Sequence, residues 1–193
     1  MCGRYVLYEE LDEINHFLNS MDSGKFHVDG NGGYRPNYNV APTSIMPVAF
    51  TNEDGKRILM PMHWGFMGWK PKEGDRPFLP INTRDDKVTK SRMWKGPFQH
   101  KRCIVPANGF YEWTGSKGNK TPHFIYPTQG KLMGFAGIYN DLAPEDKDAD
   151  FSYSIITTDP NKVMENIHDR MMELKSILFR MQLEKYAIMS LGL

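Results

Sequence analysis

Cys2 carries the sharpest chemistry in the chain. An initiator methionine ahead of a small residue is commonly removed, which would leave Cys2 with an α-amine (ordinary pKa about 7.7–8.0) beside its thiol (about 8.5). Such a 1,2-aminothiol captures an aldehyde in two steps: the amine forms a Schiff base, and the thiolate then closes a five-membered thiazolidine ring. The thiol alone can also act as a hydrolytic nucleophile. An incidental cysteine near a chain end is the plain alternative, and its position alone does not decide between them.

Two further residues could manage protons. Glu112 lies in Gly109-Phe110-Tyr111-Glu112-Trp113, where strand alternation puts it on one face with Phe110. A carboxylate among aromatic rings is desolvated and suited to general acid or base work; an edge-strand glutamate facing water is the alternative. His168 closes an expected helix ahead of Asp169 and Arg170. An imidazole at a helix C-terminus is biased toward its charged form, useful in proton transfer, although a solvated capping histidine would look the same. Asn82 and Arg84 follow the apolar run Leu79-Pro80-Ile81, where Asn82 could equally be a turn residue.

Seven basic residues stand between Arg84 and Arg102, against only Asp85 and Asp86, in a chain whose formal net charge is +1. A charge run is ordinarily a solvated face. Here Trp64, Trp69, Trp94 and Trp113 could add stacking surfaces, and base stacking contributes about 1–3 kcal/mol per base. Together they point to single-stranded nucleic acid. The overall balance of 24 basic and 23 acidic residues excludes a histone-like binder.

Two cysteines cannot build a disulfide framework, and no CxxC pair offers a zinc site. His63, His100 and His123 show no ligand spacing, so neither metal nor cofactor is expected. No apolar h-region follows the N-terminus, and no apolar run approaches the ~20 residues of a membrane helix. The chain reads as a cytoplasmic protein (nucleoid-associated if bacterial) with reduced thiols, and as a monomer.

With 193 residues, 12% aromatic, the chain is long enough for one domain with a real core. An amphipathic helix is expected from Tyr8 to Leu18, where Leu11, Ile14, Phe17 and Leu18 keep helical spacing. Ile45 to Phe50 and Arg57 to His63 read as a hairpin around Asn52-Glu53-Asp54-Gly55. Pro71, Gly74, Pro77 and Pro80 mark a loop, and Asp85 or Asp86 could cap a helix running toward Trp94. Strands are expected at Cys103 to Val105, Gly109 to Trp113, His123 to Tyr126, Leu132 to Ile138 and Phe151 to Thr157. Asp159-Pro160 then supplies an N-cap and first-turn proline for a helix carrying Val163 and Ile167. The fold class is α+β: a mostly β single domain with a few short helices.

These residues resemble the SRAP family, the abasic-site processing proteins associated with the SOS response. The resemblance is carried by Met1-Cys2-Gly3-Arg4-Tyr5, Tyr38-Asn39-Val40-Ala41-Pro42, Trp64-Gly65-Phe66 and Ile81-Asn82-Thr83-Arg84. It continues through Arg102-Cys103-Ile104-Val105-Pro106-Ala107-Asn108, through Gly109 to Trp113, and through Ile167-His168-Asp169-Arg170-Met171. It implies a β-barrel-like SRAP core and a DNA-damage protein that covalently traps abasic sites in single-stranded DNA. The ring-opened abasic sugar presents an aldehyde, the electrophile an aminothiol takes. On that pattern Cys2 is the nucleophile, Asn82 orients it, and Glu112 and His168 move protons. Arg4, Arg84 and Arg170 hold phosphates, while Trp69 and Trp113 pack against bases. A lyase-like crosslinking activity and a hydrolase or protease label, tied to self-removal of Met1, come with the resemblance.

The departure from that pattern begins at Met172, where the family usually has proline. Residues 1–171 read as the SRAP domain and 172–193 as an atypical tail. Leu174, Ile177, Leu178 and Met181 repeat at helical spacing, predicting a docked helix there. Two other readings stand beside the covalent sensor: a cysteine hydrolase using Cys2 and His168 on peptides, and a non-catalytic single-strand binding module.

Overall fold

The computed structural model describes residues 3–26, 34–145 and 148–173, together with the backbone of 186–190. Its elements in chain order are β1 (Arg4–Leu7), α1 (Leu11–Leu18), β2 (Met21–Asp22), β3 (Asn37–Val40), β4 (Ile45–Thr51) and β5 (Arg57–Trp64). Next come β6 (Asn82–Arg84), α2 (Asp85–Val88), α3 (Lys95–His100), β7 (Arg102–Ala107), β8 (Gly109–Ser116) and β9 (Asn119–Pro127). The last are β10 (Met133–Asn140), β11 (Phe151–Thr158), β12 (Met171–Met172) and β13 (Tyr186–Ser190). The fold is mostly β with short helices, as the alternation and turn residues predict.

The hairpin expected around Asn52–Gly55 is β4–β5, in register from Ile45 opposite His63 to Thr51 opposite Arg57. It belongs to a sheet in the order β12-β11-β10-β7-β4-β5-β2. That sheet closes on itself, because β11 also runs parallel to β5, with Phe151 opposite Met62 and Tyr153 opposite Trp64. The result is a five-stranded barrel, β11-β10-β7-β4-β5, which removes the unpaired edges those strands would otherwise present. β6 takes up the same edge of β11 where β5 leaves it, with Asn82 opposite Ile155 and Arg84 opposite Thr157.

A second sheet, β13-β9-β8-β1-β3, packs against the barrel. The chain passes between the two at Asn108, the residue separating β7 from β8. Asn108 is buried and fully occupied. Its amide donates to Val6 O (2.7 Å) and its side-chain oxygen accepts from Tyr8 N (2.8 Å). Its side-chain nitrogen reaches Lys131 O (2.8 Å) and Glu9 Oε1 (3.2 Å). At the next residue, Gly109, a Cβ would sit 2.5 Å from Ile125 O, so only glycine allows the close approach.

Aromatic residues from both sheets fill the core between them. Tyr5 meets Trp64 edge-on (centroids 5.2 Å) and Phe135 (6.1 Å), and Phe110 meets Phe135 (5.8 Å). Each such side chain fully buried contributes about 1.5–3 kcal/mol before ordering entropy is subtracted. The hydroxyls of Tyr5 and Tyr153 satisfy one another at 2.9 Å.

Three local expectations are corrected. The helix toward Trp94 stops at Val88 as α2, with Arg84 rather than an aspartate at its N-cap position, and α3 begins only after Trp94. Asp85 is drawn instead to Thr158 Oγ1 (2.7 Å) and Arg170 (2.9 Å). Residues 161–167 form successive turns rather than a helix, capped by Asn161, whose Oδ1 accepts from Val163 N (3.0 Å) and Met164 N (3.1 Å). Asp159 does not cap because its carboxylate pairs with Arg170 (2.6 Å). α1 starts at Leu11, not Tyr8, since Glu9 is held back by Asn108. The helix expected over 174–182 lies outside the described residues. Beyond it, β13 pairs antiparallel with β9, Ile188 opposite Ile125.

Candidate functional site

The site expected from sequence divides into two groups, one at each sheet. The first surrounds the C-terminal half of β11. The loop over 65–81 leaves the barrel after β5 and returns to deliver Asn82 and Arg84 on β6 beside Ile155 and Thr157. The turns after Asn161 bring His168 and Arg170 back to the same strand, where β12 pairs with Thr157 and Thr158. Thus Asn82, Arg84, His168 and Arg170 are gathered at one end of one strand.

Within that group the arginines differ. Arg170 is buried, 6% exposed, and its guanidinium is engaged internally. It donates to Asp159 Oδ1 (2.6 Å), to Asp85 Oδ1 (2.9 Å) and to the Thr157 carbonyl. A phosphate would have to displace these partners, so Arg170 orders the site from within. Burial works to raise the Asp85 carboxyl, but hydrogen bonds from Thr158, Arg170 and the Asp86 amide together hold it below the ordinary carboxylate value. Arg84 is exposed and forked onto Asp86, with contacts of 2.8 and 3.4 Å. Asp86 holds the Arg84 guanidinium in its charged form and is itself lowered by Arg84.

His168 is engaged at Nδ1. Nδ1 lies 3.0 Å from the Arg170 amide, a donor, and 2.9 Å from Asp169 Oδ1, an acceptor. The Arg170 carbonyl lies 3.2 Å from the same nitrogen, so which of the three partners Nδ1 serves depends on whether it carries the ring proton. His168 is held there by turns rather than by the helix the sequence suggested.

The second group lies on the other sheet. β1 pairs with β8, Arg4 opposite Tyr111, so the chain enters β1 at the level of Glu112. Cys2 itself lies outside the described residues. Glu112 is only 2% exposed, and its Oε1 has no hydrogen-bond partner among the described residues. A buried carboxylate oxygen in that condition is costly to structure and open to chemistry. The outer face of the same strands carries Arg4, Tyr111 and Trp113. Arg4 donates to Asn39 Oδ1 (2.8 Å), and the Tyr111 ring lies 6.3 Å from Trp113 and 5.2 Å from Phe124.

The two groups are linked through the core: Tyr5, next to Arg4, meets Tyr153, which lies two residues before Ile155 on β11. Trp69 stands apart from both. It is 57% exposed and borders a cleft of about 860 Å³ shared with Phe66, Arg92, Met93, His100 and Lys101. That cleft gathers part of the basic segment beside an exposed tryptophan.

His123, weighed in the sequence only as a metal ligand, lies directly opposite Glu112 across β8–β9. Its Nε2 is 2.8 Å from Thr114 Oγ1. The signal was Lys117-Gly118 as the tip of a hairpin, since a two-residue turn there fixes Glu112 against His123. Among the described residues no group of three or more His, Cys, Asp or Glu side chains could hold a metal ion. No helix among them is long and apolar enough to cross a membrane.

The family model described as SOS response associated peptidase (SRAP) matches residues 1–184, running past residue 171 into the tail. The abasic site processing protein YoaM of Bacillus subtilis (strain 168) is 34% identical over 172 residues, covering 89% of this chain and 73% of that protein. The abasic site processing protein HMCES of Gallus gallus is 34% identical over 170 residues, covering 72% of this chain and 51% of its own. A crystal structure of a protein from Bacteroides thetaiotaomicron superposes with a TM-score of 0.80 at 20% identity, over 99% of this chain and 92% of that one. One from Bordetella bronchiseptica gives 0.75 at 14% identity, over 100% of both chains. These two likenesses concern the fold.

Proposed function

The chain belongs to the SRAP family, and from that footing we propose that it is a covalent sensor of abasic sites in single-stranded DNA, acting in the response to DNA damage. The observation that carries the reading is Glu112: a buried carboxyl with one oxygen unpartnered among the described residues, at the level where the chain enters β1 from Cys2.

The chemistry follows from an aminothiol and an aldehyde. Removal of Met1, by the chain itself or otherwise, frees the Cys2 amine. The amine adds to the aldehyde of the ring-opened abasic sugar and loses water, giving a Schiff base. The Cys2 sulfur then adds to the imine carbon, its proton passing to nitrogen, and the thiazolidine ring is complete. Glu112 takes and returns protons in these steps. His168 serves the opening of the sugar ring, and Asn82 orients the nucleophile. Arg4 and Arg84 hold flanking phosphates, Trp69 and Trp113 pack against bases, and Arg170 holds the strand end that presents His168. The Schiff base is the lyase-like component of the activity, and release of Met1 the peptidase-like one.

The test is incubation with a single-stranded oligonucleotide containing one abasic site, followed by denaturing electrophoresis. The wild type gives a heat-stable adduct, whereas Cys2→Ser gives only a Schiff base trappable with borohydride. A complex that dissociates on denaturation would reduce the protein to a binding module.

A further inference from the structure

His123 lies outside every role assigned above, yet its surroundings are specific. It sits opposite Glu112 in the β8–β9 register, and Thr114 sits opposite Thr121 two steps along the same face. Cross-strand partners of this kind hold their Cβ atoms about 4.5–5.5 Å apart. The Thr114 hydroxyl lies 2.8 Å from His123 Nε2 and can donate or accept, so it holds the imidazole in either protonation state over the face that bears Glu112. The hairpin that fixes the three residues is tight: at Gly115 (φ +90°) a Cβ would fall 2.2 Å from Asn119 O.

Glu112 needs such a neighbour. A carboxyl 2% exposed, with one oxygen unpartnered among the described residues, is costly to bury and must be steadied by nearby polar or charged groups. On the described strands flanking it, Tyr5 is the other titratable group on that face, and its hydroxyl is committed to Tyr153. The side chain directly across from Glu112 is His123.

We propose that His123 is a positioning residue for Glu112. Clamped by Thr114, its imidazole fixes the orientation of the carboxyl and leaves Oε1 for the proton transfers assigned to Glu112. This rests on the covalent reading above and adds a three-residue unit, Glu112–His123–Thr114, to the proton-handling machinery.

The experiment has two arms on the full chain. In the first, ring 15N resonances of His123 are compared between wild type and Glu112→Gln, with Glu53→Gln, in the exposed β4–β5 turn, as the control. The expected result is a displacement of the His123 resonances in Glu112→Gln alone. Unmoved resonances overturn the pairing, whether or not the protein reacts with DNA.

In the second arm, initial rates of adduct formation and affinities for undamaged single strands are measured for His123→Leu, His123→Gln and Thr114→Val. His123→Leu is expected to slow the reaction about tenfold, at the low end of acid–base contributions because it acts through Glu112. DNA affinity stays unchanged. His123→Gln, which keeps a polar group for Thr114, restores part of the rate, and His123→Leu adds no slowing in the Glu112→Gln background. Slowing that multiplies with Glu112→Gln, or a wild-type rate for His123→Leu, overturns the proposal. A wild type that forms no adduct while its resonances respond would overturn the covalent reading and the role assigned within it, a result distinct from a failed pairing.

Discussion

The hydroxyls of Tyr5 and Tyr153 meet at 2.9 Å inside the core, joining the strand that leads back to Cys2 with the strand that bears the His168 and Asn82 group. Removing either hydroxyl strands its partner in an apolar environment, which costs about 1–3 kcal/mol, whereas removing both leaves nothing unsatisfied. Tyr5→Phe and Tyr153→Phe are each expected to lower the urea midpoint. The double variant should recover much of the loss, and a simple sum of the two losses would show that the hydroxyls act separately.

Burial pushes the Tyr5 and Tyr153 hydroxyls and the Cys103 thiol well above their ordinary values. Groups raised on folding stabilise the protein fully below their unfolded values and lose that contribution as pH rises. Stability should therefore be whole at neutral pH and decline above about 8.5, where unfolded thiols ionise, and further above about 10 as unfolded tyrosines follow. Thermal melts between neutral pH and the alkaline range check this, and Cys103→Ala should flatten the first part of the decline.

Asp85 behaves in the opposite sense. Its carboxyl is held below the ordinary value by Thr158 and Arg170 against the opposing effect of burial, so its contribution is present above about pH 4 and is lost as pH falls further. Asp85→Asn should cost about 1 kcal/mol at neutral pH, discounted because the Asp85 side chain is 42% exposed. The same variant should show a weaker acid transition than the wild type in chemical denaturation.

Salt dependence separates the two arginines. Arg84 is exposed, so Arg84→Ala should weaken single-strand binding for all sequences and reduce the salt slope by about 0.7. Arg170 is enclosed by Asp85, Asp159 and Thr157. Arg170→Lys should lower the melting temperature and leave the slope of the folded protein intact. Equal slopes for Arg84→Ala and wild type would remove Arg84 from the phosphate path.

The parts of this structure legible in the sequence are those whose signal is local. Asn52–Gly55 between two apolar runs announced the β4–β5 hairpin, and Phe110 and Glu112 alternated as a strand must. What could not be read depends on partners far along the chain. β6 is three residues long and exists because β11 accepts it in parallel after a long loop, a pairing with no local pattern. Asp159 looked like a cap and instead binds Arg170, so the cap fell to Asn161. The resemblance offers Arg170 as a phosphate ligand, and no local pattern announces that Asp85, from far earlier in the chain, engages its guanidinium. His123 was legible in principle, through the Lys117-Gly118 turn, but only once the two flanking runs are taken as one hairpin.

The central claim is that the Cys2 aminothiol makes the bond to the lesion. Intact mass of the denatured adduct, followed by mapping of the linked peptide, tests it most directly. The predicted species lacks Met1, equals protein plus oligonucleotide minus one water, and carries the linkage at Cys2. A crosslinked species that retains Met1, or a linkage at any other residue, would contradict it.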